Sequence, residues 1–320
     1  MPPPSPALRD VEAFLCDLHG SSVSDVEPLA AGYWSSAFGY RLGDQELVLR
    51  VGTVREGFEM DREAMAFCRD DIPVPTVLDV GDAFGASYAI SVRHHGRFLE
   101  EVDPRDAGAA GPAIARMFAA MRAVPAPAGS PAVWYGPHDP AATSTWRGWL
   151  TERLVDDPRE RTHGWRALLA RDPDLNRLFR HCEQRIHDLL DACPERRDLV
   201  HGDLLNRNVL LSPDASRVTA VFSWKLSVFG DFLYDVAWCT FWAPWHPGIA
   251  ALDLWARALR SPLDAGDLED AAARHHCYEL QIAATHLGWS AWTGDDDALQ
   301  GVASRAAAVL ERGPHPAPAQ

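Results

Sequence analysis

The stretch His201-Gly202-Asp203-Leu204-Leu205-Asn206-Arg207-Asn208 sets a carboxylate five residues ahead of a carboxamide, and Ser223 follows in Phe222-Ser223-Trp224. In-line phosphoryl transfer needs a carboxylate to position the acceptor hydroxyl and take its proton. It also needs oxygen ligands for a divalent ion on the nucleotide phosphates. Asp203 suits the first task. Asn208 suits the second, because an amide oxygen ligates Mg²⁺ without adding charge. An ordinary turn is also rich in Asp and Asn. H-G-D-x-x-x-x-N between apolar strand-like segments and followed by a hairpin is much less common, which favours chemistry.

Such a loop has to be mounted rigidly. Leu199-Val200 leads into it, and Val209-Leu210-Leu211 and Val218-Thr219-Ala220-Val221 flank the turn Ser212-Pro213-Asp214-Ala215-Ser216 behind it. Upstream, residues 39–42 and 45–51 predict a hairpin turned at Gly43-Asp44. Val11 to Leu18 and Asp61 to Arg69 carry helical spacing, and Val74 to Val80 and Tyr88 to Val92 alternate as strands do. From about Asp106 the pattern turns helical, with long segments at 109–124, 174–192 and 268–292. The expected class is α+β, with a small β-rich N-terminal part and a larger helical C-terminal part.

The H-G-D-x-x-x-x-N loop resembles the catalytic loop of the aminoglycoside phosphotransferase and choline kinase family, whose members have the protein-kinase-like two-lobed fold. Gly202 stands where protein kinases have the arginine of H-R-D. Only a few residues separate Ser223 from Gly230-Asp231, which leaves no room for a peptide-docking activation segment. Val48-Leu49-Arg50-Val51, the run Pro73 to Gly81, Thr145-Trp146-Arg147 and the segment from Phe229 to Trp245 carry the resemblance further, from about Val11 to Trp292. It implies a nucleotide-binding lobe over 1–93, a connector over 94–104, a catalytic and acceptor-binding lobe over 105–312 and a disordered tail over 313–320.

The resemblance also implies roles at single positions. Arg50 takes the place of the kinase phosphate-gripping lysine, as a permanently charged bidentate donor, with Glu63 as its ion-pair partner. Gly32, Ser35 and Ser36 fall at the glycine-rich phosphate loop, and the backbone at Val92 and His94 at the adenine edge. Asp235 is expected to brace the catalytic loop. ATP or GTP with Mg²⁺ is the implied cofactor set, Asn208 and Ser223 marking the metal positions. The family has an aspartate at 223. A serine hydroxyl there is neutral and a weaker ligand. Two readings follow: a kinase with an impaired metal site, or a silent pseudokinase that binds a nucleotide or small ligand. A nearby acid such as Asp231 is a candidate substitute.

The expected acceptor is a cationic, sugar-like molecule of the aminoglycoside or aminocyclitol type, phosphorylated on a hydroxyl. Trp238, Phe241, Trp242 and Trp245 recur at helical spacing, and Pro244 should end that helix and leave Trp242 and Trp245 at its accessible end. Glu279 and Asp231 are further acceptor-contact candidates. Asp295-Asp296-Asp297 reads best as a helix N-terminus.

The 320 residues carry a net charge of −15, which disfavours a nucleic-acid partner and suits a cationic ligand or simple solubility. No apolar run of membrane-spanning length occurs. Six scattered cysteines without a C-x-x-C pair point to reduced thiols, and the N-terminus lacks signal-peptide character, so a cytoplasmic monomer is the expectation. His181-Cys182 and His275-His276-Cys277 lack paired metal-site spacing and read as helix-face residues.

Overall fold

A computed structural model of the chain describes residues 4–20, 22–29, 32, 34–126, 145–260 and 265–315. The chain forms two compact units, each discontinuous in sequence. One takes residues 1–102, 112–120 and 203–226, and the other takes 103–111, 121–202 and 227–320.

The first unit is built on a five-stranded antiparallel sheet. Its strands are β1 (Val23–Pro28), β2 (Ser35–Leu42), β3 (Gln45–Gly52), β4 (Val77–Ala83) and β5 (Ala86–Val92), in the order β1-β2-β3-β5-β4. The β2–β3 hairpin closes at Leu42↔Gln45. Gly43 there has φ of 59°, the left-handed conformation that glycine adopts without a Cβ penalty. Leu47, Leu49 and Val51 alternate into the core, as a half-buried strand requires. Helix α1 (Leu8–His19) lays Val11 and Leu15, one turn apart, on the same cluster with Phe38, Tyr40 and Ile90. It begins at Leu8, two residues after Pro6. Helix α2 (Arg55–Ala64) follows β3, earlier than the expected 61–69 because the chain tightens into a 3₁₀ turn at Met65–Phe67. A second sheet joins β6 (Arg97–Phe98), β8 (Val209–Leu211) and β9 (Val218–Val221).

The second unit is helical apart from the two-stranded pair β7 (Asp198–Val200) and β10 (Val228–Gly230). Helix α3 (Ala107–Arg122) contributes to both units. The remaining helices are α4 (Trp146–Glu152), α5 (Trp165–Leu169), α6 (Pro173–Leu189), α7 (Leu233–Trp242), α8 (Pro247–Ala251), α9 (Leu254–Arg260), α10 (Ala265–Leu268), α11 (Ala271–Thr293) and α12 (Asp296–Arg312). Over most of its length α11 is buried on all sides, packed by α5, α6, α7 and α12, which is why its sequence shows no clean polar face. Asp295 caps α12 through the Ala298 N–H at 2.9 Å, with Asp296 and Asp297 in the first turn, so the acidic run serves the helix start. Past Gly313, His315 packs its ring against Trp255, and the rest of the expected tail, 316–320, lies outside the described residues.

Gly230, in β10, lies against Trp146 so closely that an added Cβ would sit 2.2 Å from the indole. Trp146 is itself fully buried and cannot move aside. Gly230→Ala should therefore cost about 1–3 kcal/mol of stability, read as a lower urea midpoint with an unchanged slope.

Candidate active site

The His201–Asn208 loop begins where β7 ends. Gly202 has φ of 77°, so glycine fits the position before Asp203 where a Cβ would be strained. The N–H groups of His201 and Gly202 donate to the Asp235 carboxylate at 2.8 and 2.9 Å, so Asp235 on α7 braces the loop entry. Burial raises the Asp235 carboxyl to about 7, against the pull of those two N–H groups.

Within the first unit the loop ties itself together around Asp203. Asn206 Nδ2 donates to Asp203 Oδ1 at 2.8 Å. Asn208 Nδ2 donates to the Asp203 carbonyl at 2.7 Å and to Oδ2 at 3.1 Å. Because both Asn208 amide protons are spent on Asp203, its Oδ1 is aimed elsewhere, as a metal ligand's must be. Asn206 and Arg207 are both left-handed, at φ of 67° and 64°. Glu100 accepts the Arg207 N–H, and Glu101 pairs with its guanidinium at 3.0 Å. These two glutamates hold a strained turn that sequence reasoning left unexplained, and no local spacing announces them.

Arg50 leaves β3 on the face opposite Leu49 and Val51. Its guanidinium meets Asp61 Oδ2 at 2.6 Å, which corrects the expected partner, Glu63. Two residues along a helix turn the side chain by roughly 200°, so the two carboxylates leave α2 on different sides. Asp61 is 5% exposed, and its other oxygen accepts the Trp224 N–H at 2.7 Å. One buried carboxylate thus links β3 to the Ser223 segment. Ser223 is half-buried at φ of 62°, a conformation that favours Asn and Asp over Ser among non-glycine residues.

Other expected positions fare unevenly. Gly32 donates its N–H to the Ser35 carbonyl at 2.9 Å, while the neighbouring Ala31 and Tyr33 lie outside the described residues. Ser35 is half-buried at the start of β2. Ser36 is buried with its hydroxyl unpaired among the described residues, so it is no accessible phosphate donor. The Val92 N–H is already taken by the Thr76 carbonyl at 3.0 Å. The His94 ring lies 2.8 Å from the Thr219 carbonyl, tying the connector to β9.

In the second unit, Trp238 is core, as expected, and Trp245 is 43% exposed beyond the end of α7. Trp242 is half-buried, with ring centroids 5.2 Å from Trp245 and 4.8 Å from His286. Two acceptor candidates are corrected. Asp231 is fully buried: Arg274 holds both its oxygens at 2.8 and 2.9 Å, and Tyr278 donates at 2.7 Å. No oxygen is left to touch a substrate or to replace the missing metal carboxylate. Glu279 is equally buried, shared by Arg305 and Arg312. Burial opposes its charge, but the fields of His275, Arg312 and Arg305 hold its carboxyl below the usual range.

A carboxylate and a carboxamide locked together on a loop, with an arginine clamped to a helix in the same unit, define the site class of a kinase-like phosphotransferase. The chain matches the phosphotransferase enzyme family over residues 25–273, and it belongs to that family. It is 31% identical over 321 residues to hygromycin-B 4-O-kinase of Escherichia coli, covering 98% of this chain and 88% of that one. The crystal structure of aminoglycoside phosphotransferase APH(4)-Ia superposes with a TM-score of 0.82 at 29% identity, over 96% of this chain and 99% of that one. A ternary complex of a thermostable mutant of that enzyme with AMP-PNP and hygromycin B gives 0.80 at 30% identity, over 94% and 98%. The fold is therefore kinase-like. No helix among the described residues is long and apolar enough to cross a membrane.

Two expectations test this geometry. Asp61→Asn keeps the Trp224 N–H bond but weakens the hold on Arg50, so the KM for nucleotide should rise while the fold persists. For Asp235, the folded carboxyl titrates near 7, above the unfolded value of about 3.9. Its contribution is complete below the unfolded value and is lost as pH rises through about 7. The unfolding free energy of the natural protein minus that of Asp235→Asn should therefore fall steadily over that window.

Proposed function

We propose that the protein is an ATP- or GTP-dependent O-phosphotransferase acting on a hydroxyl of a hygromycin B-like aminoglycoside. The observation that carries the reading is the pair Asp203 and Asn208, in which one side chain fixes the other and leaves an oxygen free for metal. The relatives' names supply the substrate class. The net charge of −15 suits a polycationic acceptor.

Asp203 accepts the proton of the acceptor hydroxyl as that oxygen attacks the γ-phosphorus, and the bond from phosphorus to the β–γ bridging oxygen breaks to release the nucleoside diphosphate. Its carboxylate is held in place by the Asn206 and Asn208 amides, so little reorganisation accompanies the step. Arg50, steadied by Asp61, donates to the nucleotide phosphates. Asn208 Oδ1 and the Ser223 hydroxyl would hold Mg²⁺, which when bound neutralises charge on the phosphate oxygens. Trp242 and Trp245 offer indole faces to the sugar rings and ammonium groups of the acceptor.

Serine at 223 removes one negative charge from the metal's surroundings, and this single observation favours a second reading, a silent protein that binds nucleotide or drug without turnover. The left-handed backbone at 223 tolerates aspartate, so Ser223→Asp tests the metal site without backbone strain. In a coupled ADP-release assay with hygromycin B, Ser223→Asp should raise kcat and lower the Mg²⁺ concentration needed for half-activity. Asp203→Ala should lower kcat by about 10²–10⁴-fold with an unchanged melting temperature. Full turnover by Asp203→Ala would remove the assignment. Nucleotide binding with no turnover by either the natural protein or the Ser223→Asp variant would establish the silent reading.

A further inference from the structure

The histidines on α11 that primary spacing leaves as helix-face residues meet a partner from far along the chain. His275 and Glu279, one helical turn apart, are both fully buried. His315, from the segment after α12, reaches the same point, and one donor atom from each of the three lies within 4.8 Å of the others. His275 Nδ1 stands 3.5 Å from Glu279 Oε2, and His315 Nε2 stands 3.9 Å from the same oxygen. Neither nitrogen has a hydrogen-bond partner among the described residues, although both are shut off from solvent.

The far side of the His275 ring fixes what faces Glu279. Its Nε2 lies 2.9 Å from the Thr240 hydroxyl, which can itself donate to the Ala237 carbonyl at 3.1 Å or to Glu279 Oε1 at 3.2 Å. With that hydroxyl proton spent, Thr240 accepts the Nε2 proton and His275 Nδ1 becomes a bare lone pair. A lone pair opposite a carboxylate oxygen in a dry interior is repulsive unless a cation lies between them. An imidazole whose second nitrogen is anchored in this way is the usual state of a metal-ligating histidine.

We propose that His275, Glu279 and His315 form a binding site for a divalent transition ion of the Zn²⁺ class, with water as the fourth ligand. Two imidazoles and a carboxylate suit Zn²⁺ or Co²⁺ and are a poor set for Mg²⁺, so this site is separate from the phosphoryl-transfer centre and independent of its assignment. His315 lies past the last helix, with its side chain 26% exposed.

Two guanidiniums share Glu279. Arg305 sits on Oε1 at 3.2 Å and can remain as an outer partner that orients the carboxylate. Arg312 sits on Oε2, the oxygen the ion takes, and its side chain is 29% exposed at the last residue of α12. The ion and Arg312 therefore compete, and binding frees Arg312 to solvent. Its consequence is to staple the segment after α12 onto α11.

The test is a Co²⁺ titration of the full chain, reading the visible d–d absorption of a four-coordinate ion, with Zn²⁺ displacement and Zn²⁺-dependent melting alongside. The natural protein should bind one equivalent, show the band and melt at higher temperature with Zn²⁺. His315→Ala should keep the metal-free melting temperature and lose both the band and the Zn²⁺ shift. Arg312→Gln, which removes the competitor, should bind about tenfold more tightly. The absence of a band in the natural protein would overturn the proposal. A band surviving in His315→Ala would assign binding to others of the 13 histidines and overturn it equally. Unchanged affinity in Arg312→Gln would refute coordination through Oε2.

Discussion

The first unit of this protein depends on one buried carboxylate. Asp61 accepts from Arg50 on one oxygen and from the Trp224 N–H on the other. A strand, a helix and the segment carrying Ser223 are thereby fixed by a single side chain. A buried charge of this kind is tolerable only when fully paired, and both oxygens here are in use. Removing either partner leaves an uncompensated group in the interior. The Trp224 ring strengthens the arrangement by packing 5.7 Å from Phe67, just past α2.

A second set of constraints concerns charge. The loop holds one carboxylate, Asp203, and orients it with two side-chain amides, while Ser223 is neutral. Asp231, the acid considered as a substitute, is saturated by Arg274 and Tyr278. The left-handed backbone at 223, a conformation more usual for Asp or Asn than for Ser, is nonetheless present. The backbone at 223 would therefore accept aspartate as readily as the serine it carries.

Much of this was legible in the sequence. The β2–β3 hairpin, the strands around the catalytic loop, the long helices and the end of α7 before Pro244 follow from period, turn residues and proline. The bracing role of Asp235 followed from the resemblance. What failed was choice among nearby carboxylates. Asp61 and Glu63 sit two apart on one helix, and only the helix's rotation about its axis decides which meets Arg50. Asp231 and Glu279 looked available because their partners, Arg274 for the one and Arg305 and Arg312 for the other, are distant in sequence or hidden in the helical pattern. The same blindness to long-range partners concealed the convergence of His315 on His275 and Glu279. Periodicity reports which face of an element is buried, and it cannot report which group from elsewhere meets that face.

The account is tested most directly by incubating the unaltered protein with γ-labelled ATP or GTP, Mg²⁺ and hygromycin B, and analysing the drug for label. It predicts labelled phosphate on a hydroxyl of the aminoglycoside, formed in proportion to enzyme and dependent on the ion. Protein that binds nucleotide and drug yet leaves the drug unlabelled with both nucleotides would contradict it.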